Sequence, residues 1–393
     1  MGNKSVIASI VRTPIGSFLG ALSKVPAVYL GAAVIKEIVK RAGIHIDQVD
    51  EVIMGNVLSA SVGQAPARQA AIFGGLPKKV ECLTINKVCG SGLKAVMLAD
   101  QAIRCGDAEV VIAGGMENMS QSPYHLLDIR DGLRMGHKKV IDSLIHDGLW
   151  DPYEDMHMGN CAEVLSKGKN YTREEQDSFA VESYRRSLES IEKGLFKDEI
   201  IAVEIPNRKG DTIIVDTDEE PGRGKLENIG KLRTAFDKEG TITAANASSI
   251  NDGAAALTVI SSEKAKQLKV SPLCKIVAQA SAAHEPLYFT TAPSKAITKV
   301  LDKSDLTIDD IDLFEINEAF SNVTMAAMRE HSIPHDKVNI HGGAVSLGHP
   351  IGASGARILV TLISALRQKN KKRGLATLCI GGGEAAALIV EII

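Results

Sequence analysis

A layered α/β core is the fold class this sequence predicts, and three observations predict it. Strand-like and helix-like stretches alternate through the first 120 residues and again from residue 271 onward. Both regions close on an apolar strand that runs into glycines, Ile112-Ala-Gly-Gly115 and Ile380-Gly-Gly-Gly383. Between them, residues 121–247 are polar and charged and lack the pattern. Such alternation lays helices on the faces of a sheet and favours parallel pairing.

The elements follow in order. Val6–Ser9 is a short apolar run, and Tyr29–Arg41 has helical spacing. Val52–Met54 and Leu83–Ile85 are strand candidates. Leu93, Val96, Met97 and Ile103 mark one face of a helix, and Val110–Ala113 is a buried-strand run closed by Gly114-Gly115. The 121–247 stretch holds the only tryptophan, Trp150, and charged runs at 207–211 and 216–225, so it reads as an insertion of loops and surface helices. The core pattern returns with Gly253–Ile260. Leu273–Ala278 is strand-like, Pro293–Leu301 helical, and Leu313–Ile316 a strand. A helix from Glu318 to Glu330, a glycine-rich loop, a helix from Ala353 to Leu366 and strands Ala376–Ile380 and Ala385–Ile392 complete the chain.

Composition narrows the function classes. The chain has 393 residues, 45% hydrophobic and 24% charged, a profile of about two or three globular domains. A formal net charge of −3 gives no electrostatic case for nucleic acid. No apolar run is long enough to span a bilayer, no leader or Arg-rich presequence opens the chain, and Val6 breaks the myristoylation pattern after Gly2. The expected compartment is cytoplasmic, with the mitochondrial matrix as the alternative if a transit peptide is missing from this sequence. None of the six cysteines has C-x-x-C spacing, and no Cys/His cluster suits zinc, so no transition metal is expected. For Cys82, Cys105, Cys161 and Cys274 the expected state is a buried free thiol.

Four places carry the chemistry. In Leu83-Thr-Ile-Asn-Lys-Val-Cys-Gly-Ser-Gly-Leu-Lys94 a strand ends, Cys89 follows, and a glycine turn opens an amphipathic helix. Free N–H groups and the dipole at a helix N-terminus favour a thiolate, and the same N–H groups can form an oxyanion hole. A buried cysteine in a glycine turn is the other reading, and composition does not separate them. His349 stands between Gly348 and Pro350, a fixed and uncrowded position that suits a general base; a structural loop histidine is the alternative. His341 reads as structural. Cys379-Ile-Gly-Gly-Gly-Glu384 repeats the strand, cysteine, glycine sequence of the first site. Asn317 ends the Leu313–Ile316 strand, either as a helix N-cap or to orient a water or a substrate oxygen. Dinucleotide binding is disfavoured: Ala95 stands where G-x-G-x-x-G needs its third glycine, and no acidic residue ends a following strand for a ribose, so no NAD is expected. No G-x-S-x-G elbow supports a serine hydrolase.

Two cysteines, a histidine and an asparagine, each at a strand end or glycine turn, resemble the active site of the thiolase family. The likeness covers essentially the whole chain. It is carried by Asn86-Lys-Val-Cys-Gly-Ser-Gly92, Asn317-Glu-Ala-Phe320, Gly348-His-Pro350 and Cys379-Ile-Gly-Gly-Gly383, with Arg12-Thr-Pro-Ile-Gly-Ser17 and His157-Met-Gly159 in support. The resemblance implies a five-layered α/β/α/β/α fold of two similar halves. These would be residues 1–270, holding an inserted loop domain at about 121–247, and residues 271–393. It implies a reversible, ping-pong Claisen condensation of two acetyl-CoA into acetoacetyl-CoA and CoA. Cys89 is then the acylated nucleophile, His349 its proton acceptor and later part of an oxyanion hole, and Cys379 the second acid/base. Asn317 would hold a water in that hole, and the backbone N–H groups of Cys89 and Gly381 would form the other.

Within the family the likeness is to short-chain acetoacetyl-CoA thiolases, in particular the mitochondrial potassium-dependent type. That implies K⁺ ligands at Tyr184, Ala244, Ala245, Ala247 and Val345, and coenzyme A contacts at His157, Tyr184, Arg223, Ser248, Phe289, Phe320 and Gly381. Arg208 and Lys209 add local positive charge for an ADP 3′-phosphate or form a solvated loop. A homotetramer is implied as well. Two departures stand out. Thr290 replaces an expected proline after Phe289, which bears on 2-methyl substrates, and Glu384 puts a carboxylate near Cys379, where an unpaired charge would raise the thiol's pKa. A decarboxylating condensing enzyme competes but usually lacks a second cysteine. A silent acyl-CoA or lipid carrier also competes, against all four residues being present.

Overall fold

The computed structural model describes residues 4–206 and 211–393; Arg208 and Lys209 lie outside the described residues. Among the described residues ten strands form one continuous sheet with a seam, nine of them in a row and a short tenth, Gly16–Ser17, paired beside Asn251–Ser261. On one side run Glu81–Ile85, Glu51–Gly55, Val110–Asn118, Asn251–Ser261 and Ser5–Arg12; on the other, Cys274–Ala283, Glu384–Ile392, Arg373–Ile380 and Leu313–Ile316. The two sides join through a short pairing of Val6 with Lys275 and Ile7 with Cys274.

Five layers follow from which face each strand residue buries. Successive strand side chains point to opposite faces. Val52 and Met54 therefore enter the core under the outer helices Ala27–Ala42 and Pro66–Phe73, while Ile53 enters the central one. The central core is filled by two helices, Ser91–Cys105 and Ile351–Gln368, between both sides of the sheet. A third core packs Ala292–Ser304 and Ser321–His331 against the far face of the second side. The order is thus α/β/α/β/α.

Several expectations change in detail. Parallel pairing holds only toward the two ends of the sheet, at 51–55 with its neighbours and at 313–316 with 374–377. The long central pairs, Val110–Asn118 with Asn251–Ser261 and Cys274–Ala283 with Glu384–Ile392, are antiparallel. The Val110 strand does not stop at its glycines but runs through them to Asn118. A Cβ on Gly114 would lie 2.0 Å from the Ala255 carbonyl and one on Gly115 2.0 Å from that of Gly352, so these glycines allow close backbone approach rather than end the strand. The helix expected from Glu318 begins at Ser321, since residues 317–319 are irregular and the extended Phe320 bridges to Ala247. The Pro66–Phe73 helix was not expected; its eight residues are too few to show a clear period. Cys105 is exposed and Cys82 half-buried, whereas Cys161 and Cys274 are buried as expected. Among the described residues no helix is long and apolar enough to cross a membrane.

The 121–247 stretch holds helices Met158–Lys169 and Arg173–Glu192 and short hairpins such as 203–206 with 212–215. A capping box from Thr172 and Glu175 starts the second of these helices. The buried Arg12 anchors the stretch to the core. Its Nε meets Glu199 at 2.6 Å, and its two terminal nitrogens hold Asp218 at 2.7 and 2.8 Å.

Candidate active site

Cys89 sits in a tight turn between the Glu81–Ile85 strand and the Ser91–Cys105 helix. The turn is held by its own side chains. Asn86 Oδ1 accepts from the Val88 N–H at 2.9 Å, and Ser91 Oγ accepts from the Lys87 N–H at 2.8 Å while donating to the Val88 carbonyl at 2.7 Å. These bonds hold Val88 at φ +46°, in the left-handed region that a β-branched residue avoids at a cost of about 1–3 kcal/mol. The strained residue stands immediately before Cys89.

The thiol is not a resting thiolate. Burial pushes Cys89 up to about 11, against the pull of the Gly381 N–H, with the Glu117 carboxylate adding to the rise. The expectation from the helix N-terminus is thus reversed, because desolvation outweighs the dipole. Cys379, at the end of the Arg373–Ile380 strand, is raised well above the ordinary thiol value by burial first and Cys89 second. Glu384 does not enter as an unpaired charge: it forms an ion pair with Lys87.

His349 is buried and held from three directions. Its N–H donates to Asn251 Oδ1 at 2.9 Å, Nδ1 meets Ser354 Oγ at 2.6 Å, and Nε2 lies 3.5 Å from Asn317 Nδ2. Burial, helped by Arg357, brings its pKa down to about 3, so the imidazole is neutral. Gly348 at φ +104° leaves room for Asn251, whose side chain a Cβ there would meet at 2.4 Å. Asn317 is buried and is not a helix cap; its Oδ1 has no partner among the described residues, as suits a group that binds a water or a substrate oxygen.

Two of these four groups, Cys89 and His349, face a cavity of about 410 Å³, within the usual range for a small-molecule site, while Cys379 and Asn317 are buried and do not line it. Cys89, His349 and Gly381 line it, as do His157, Ser248, Phe289 and Phe320. His157 stacks on Phe236 at 4.8 Å, and Phe320 meets Phe289 edge-on at 6.3 Å, giving an apolar wall. Ser248 donates to the Ala319 carbonyl at 3.0 Å. Arg223 is exposed, 3.7 Å from Glu219, and is not part of the lining. Thr290 is buried behind Phe289 and does not line the cavity either.

Of the residues expected to hold K⁺, Tyr184, Ala245 and Val345 pack in one small cluster, while Ala244 and Ala247 line the nearby cavity. Burial, then Glu220 and Glu318, raise Tyr184 to about 12. Glu220 and Glu318 thus place negative charge near that phenol.

Three residues escaped the sequence. Asn251 and Ser354 orient His349, and Glu117 binds Asn56 Nδ2 at 2.7 Å and the N–H groups of Val57, Leu58 and Gly352 at 3.0, 3.2 and 2.9 Å. A serine one helical turn beyond the histidine and an acid inside an apolar strand were the available signals.

Comparison with known proteins accounts for this arrangement. Family profiles described as thiolase N-terminal domain and thiolase C-terminal domain match residues 5–263 and 270–392. An acetyl-CoA acetyltransferase of Pseudomonas aeruginosa is 52% identical over 384 residues, 98% of each chain. One from Yarrowia lipolytica is 53% identical over 389 residues, 99% of this chain and 96% of its own. The crystal structure of the Bacillus anthracis acetyl-CoA acetyltransferase superposes with a TM-score of 0.97 at 41% identity, covering 100% of this chain and 99% of its own. That of a thiolase from Ascaris suum in complex with coenzyme A gives 0.94 at 43% identity, covering 99% and 100%. A thiol and a neutral imidazole at one cavity, a second, buried thiol and a buried amide beside them, a five-layered fold and a full-length match lead to one conclusion: this chain belongs to the thiolase family.

Proposed function

We propose that the protein is an acetyl-CoA C-acetyltransferase that joins two acetyl-CoA into acetoacetyl-CoA and CoA, reversibly, through an acetyl-cysteine. The observation that carries the reading is that Cys89 and His349 face one cavity, with the buried Cys379 close enough to Cys89 to feel its charge. The names of the relatives and the coenzyme A complex of a structural neighbour support the substrate.

In the first half-reaction Cys89 Sγ attacks the thioester carbonyl and His349 takes its proton. Cys379 gives its proton to the departing CoA sulfur. In the second, the Cys379 thiolate removes an α-proton from a new acetyl-CoA. The enolate attacks acetyl-Cys89, and the released Cys89 sulfur recovers its proton from His349. Protons balance over the cycle. A thiol with a raised pKa becomes a strong base once deprotonated, as an α-proton demands. The N–H groups of Cys89 and Gly381 would stabilise the oxyanion on Cys89, and His349 with a water on Asn317 would stabilise the enolate.

Phe289, Phe320, His157 and Ser248 would line the path of the acyl chain and its pantetheine arm, with Arg223 and Tyr184 farther out. K⁺, held by Tyr184 and the carbonyls of Ala244, Ala245, Ala247 and Val345, would order the 243–247 turn; equal rates in potassium and sodium salts would remove it. The oligomer proposed is a homotetramer, which light scattering checks. Exposure to acetyl-CoA followed by intact-mass analysis tests the main reading: one added acetyl on Cys89 is expected, and none would overturn it.

A further inference from the structure

Resting on the reading just given, we propose that the ion pair of Lys87 and Glu384 is a latch that sets the Cys89 turn against the Gly381–Gly383 loop. The two loops come from opposite sides of the sheet seam. Glu384 begins the strand after the glycine loop, and Lys87 stands two residues before the nucleophile. Their side chains meet across the seam and are 24% and 37% exposed. Neither lines the cavity, so the pair acts through the loops rather than on the substrate.

What it would hold is a tight and strained fit. A Cβ on Gly90 would lie 2.3 Å from Ile380 Cδ1, so the Ile380 side chain, just before the glycine loop, packs directly on the Cys89 turn. A Cβ on Gly381 would be 3.6 Å from Val88 Cγ1, placing Gly381 directly over the strained residue. Gly382 and Gly383 are at φ +88° and +84°. The glycine loop thus has little local stiffness, yet its first N–H must stay on the Cys89 sulfur. Side-chain bonds within the turn fix the backbone of Lys87 at one end. The Glu384 end is fixed by its place in the strand opposite Ile380 and Ala283. A bond between two anchored ends restricts the movement left between them. Lys94 is the other charge beside this pair, close enough to be affected by both partners.

The test compares Lys87→Met, Glu384→Leu and the reversed pair Lys87→Glu/Glu384→Lys, measuring acetylation of Cys89 and steady-state condensation. Each single change is expected to lower kcat roughly tenfold, part of the ~10²–10³ that loss of an oxyanion donor costs, with KM moving less than about twofold. The reversed pair should recover to within about threefold of the parent, since the two charges couple. Molar salt should slow the parent and leave both single variants unchanged. A reversed pair no better than the singles, or salt acting equally on all, overturns the latch. A parent that never acetylates Cys89 overturns instead the function on which it rests.

Discussion

Cys89 keeps its proton to about 11 and His349, at about 3, stays neutral, so the resting pair is a neutral thiol and a neutral imidazole. The attacking thiolate is therefore made only when substrate is present. The acetylation rate should show no break near pH 6.5, where a free histidine titrates at ~6.5; stopped-flow rates from pH 5 to 8 check it. His349→Ala should slow acetylation by roughly 10²–10⁴. Cys379→Ser should still acetylate Cys89 but lose condensation by a similar factor, read as a trapped acetyl-enzyme in intact mass. Cys89, His349, Asn317 and Cys379 were legible because glycines or a strand end flank each one. Asn251 and Glu117 were not. Glu117 binds the N–H of Gly352, 235 positions away; an acid inside an apolar strand was the only local sign, and it does not say where the partner lies.

The two central helices meet through glycines. A Cβ on Gly355 would lie 2.3 Å from the Leu93 nitrogen, and one on Gly92 would lie 2.6 Å from that of Ala356. Backbone cannot yield as a side chain can. Gly355→Ala should therefore cost about 1–3 kcal/mol, seen as a lower midpoint in denaturant. His341 tests the Arg173–Glu192 helix from another direction, since its Nδ1 meets Ser190 Oγ at 3.1 Å. Burial lowers it to about 4, below an unfolded value of ~6.5. The unfolded chain takes up this proton first, so the contribution is complete above pH ~6.5 and is lost as pH falls toward 4. His341→Gln should flatten that acid limb in thermal melts between pH 4 and 7. At this scale the strands and helices were legible from apolar period. The Val110–Asn118 strand was cut short because the reason for its glycines lies in neighbours far along the chain.

Arg12 ties the insertion to the core with no exposure of its own. Arg12→Met would strand Glu199 and Asp218 without their partner, at about 3–5 kcal/mol, measurable by urea unfolding. Layer order was legible at the scale of the molecule, but the seam was not, since it rests on a pairing of Val6 and Ile7 with residues near 274. That seam divides the chemistry. Cys89 comes from one side, and Asn317, His349 and Cys379 from the other. Catalysis is thus a coincidence detector: it registers only when both sides are docked, whatever the integrity of each alone. In rising denaturant, activity should vanish before far-ultraviolet circular dichroism changes. A population that looks folded to a spectrometer would already be silent to its substrate.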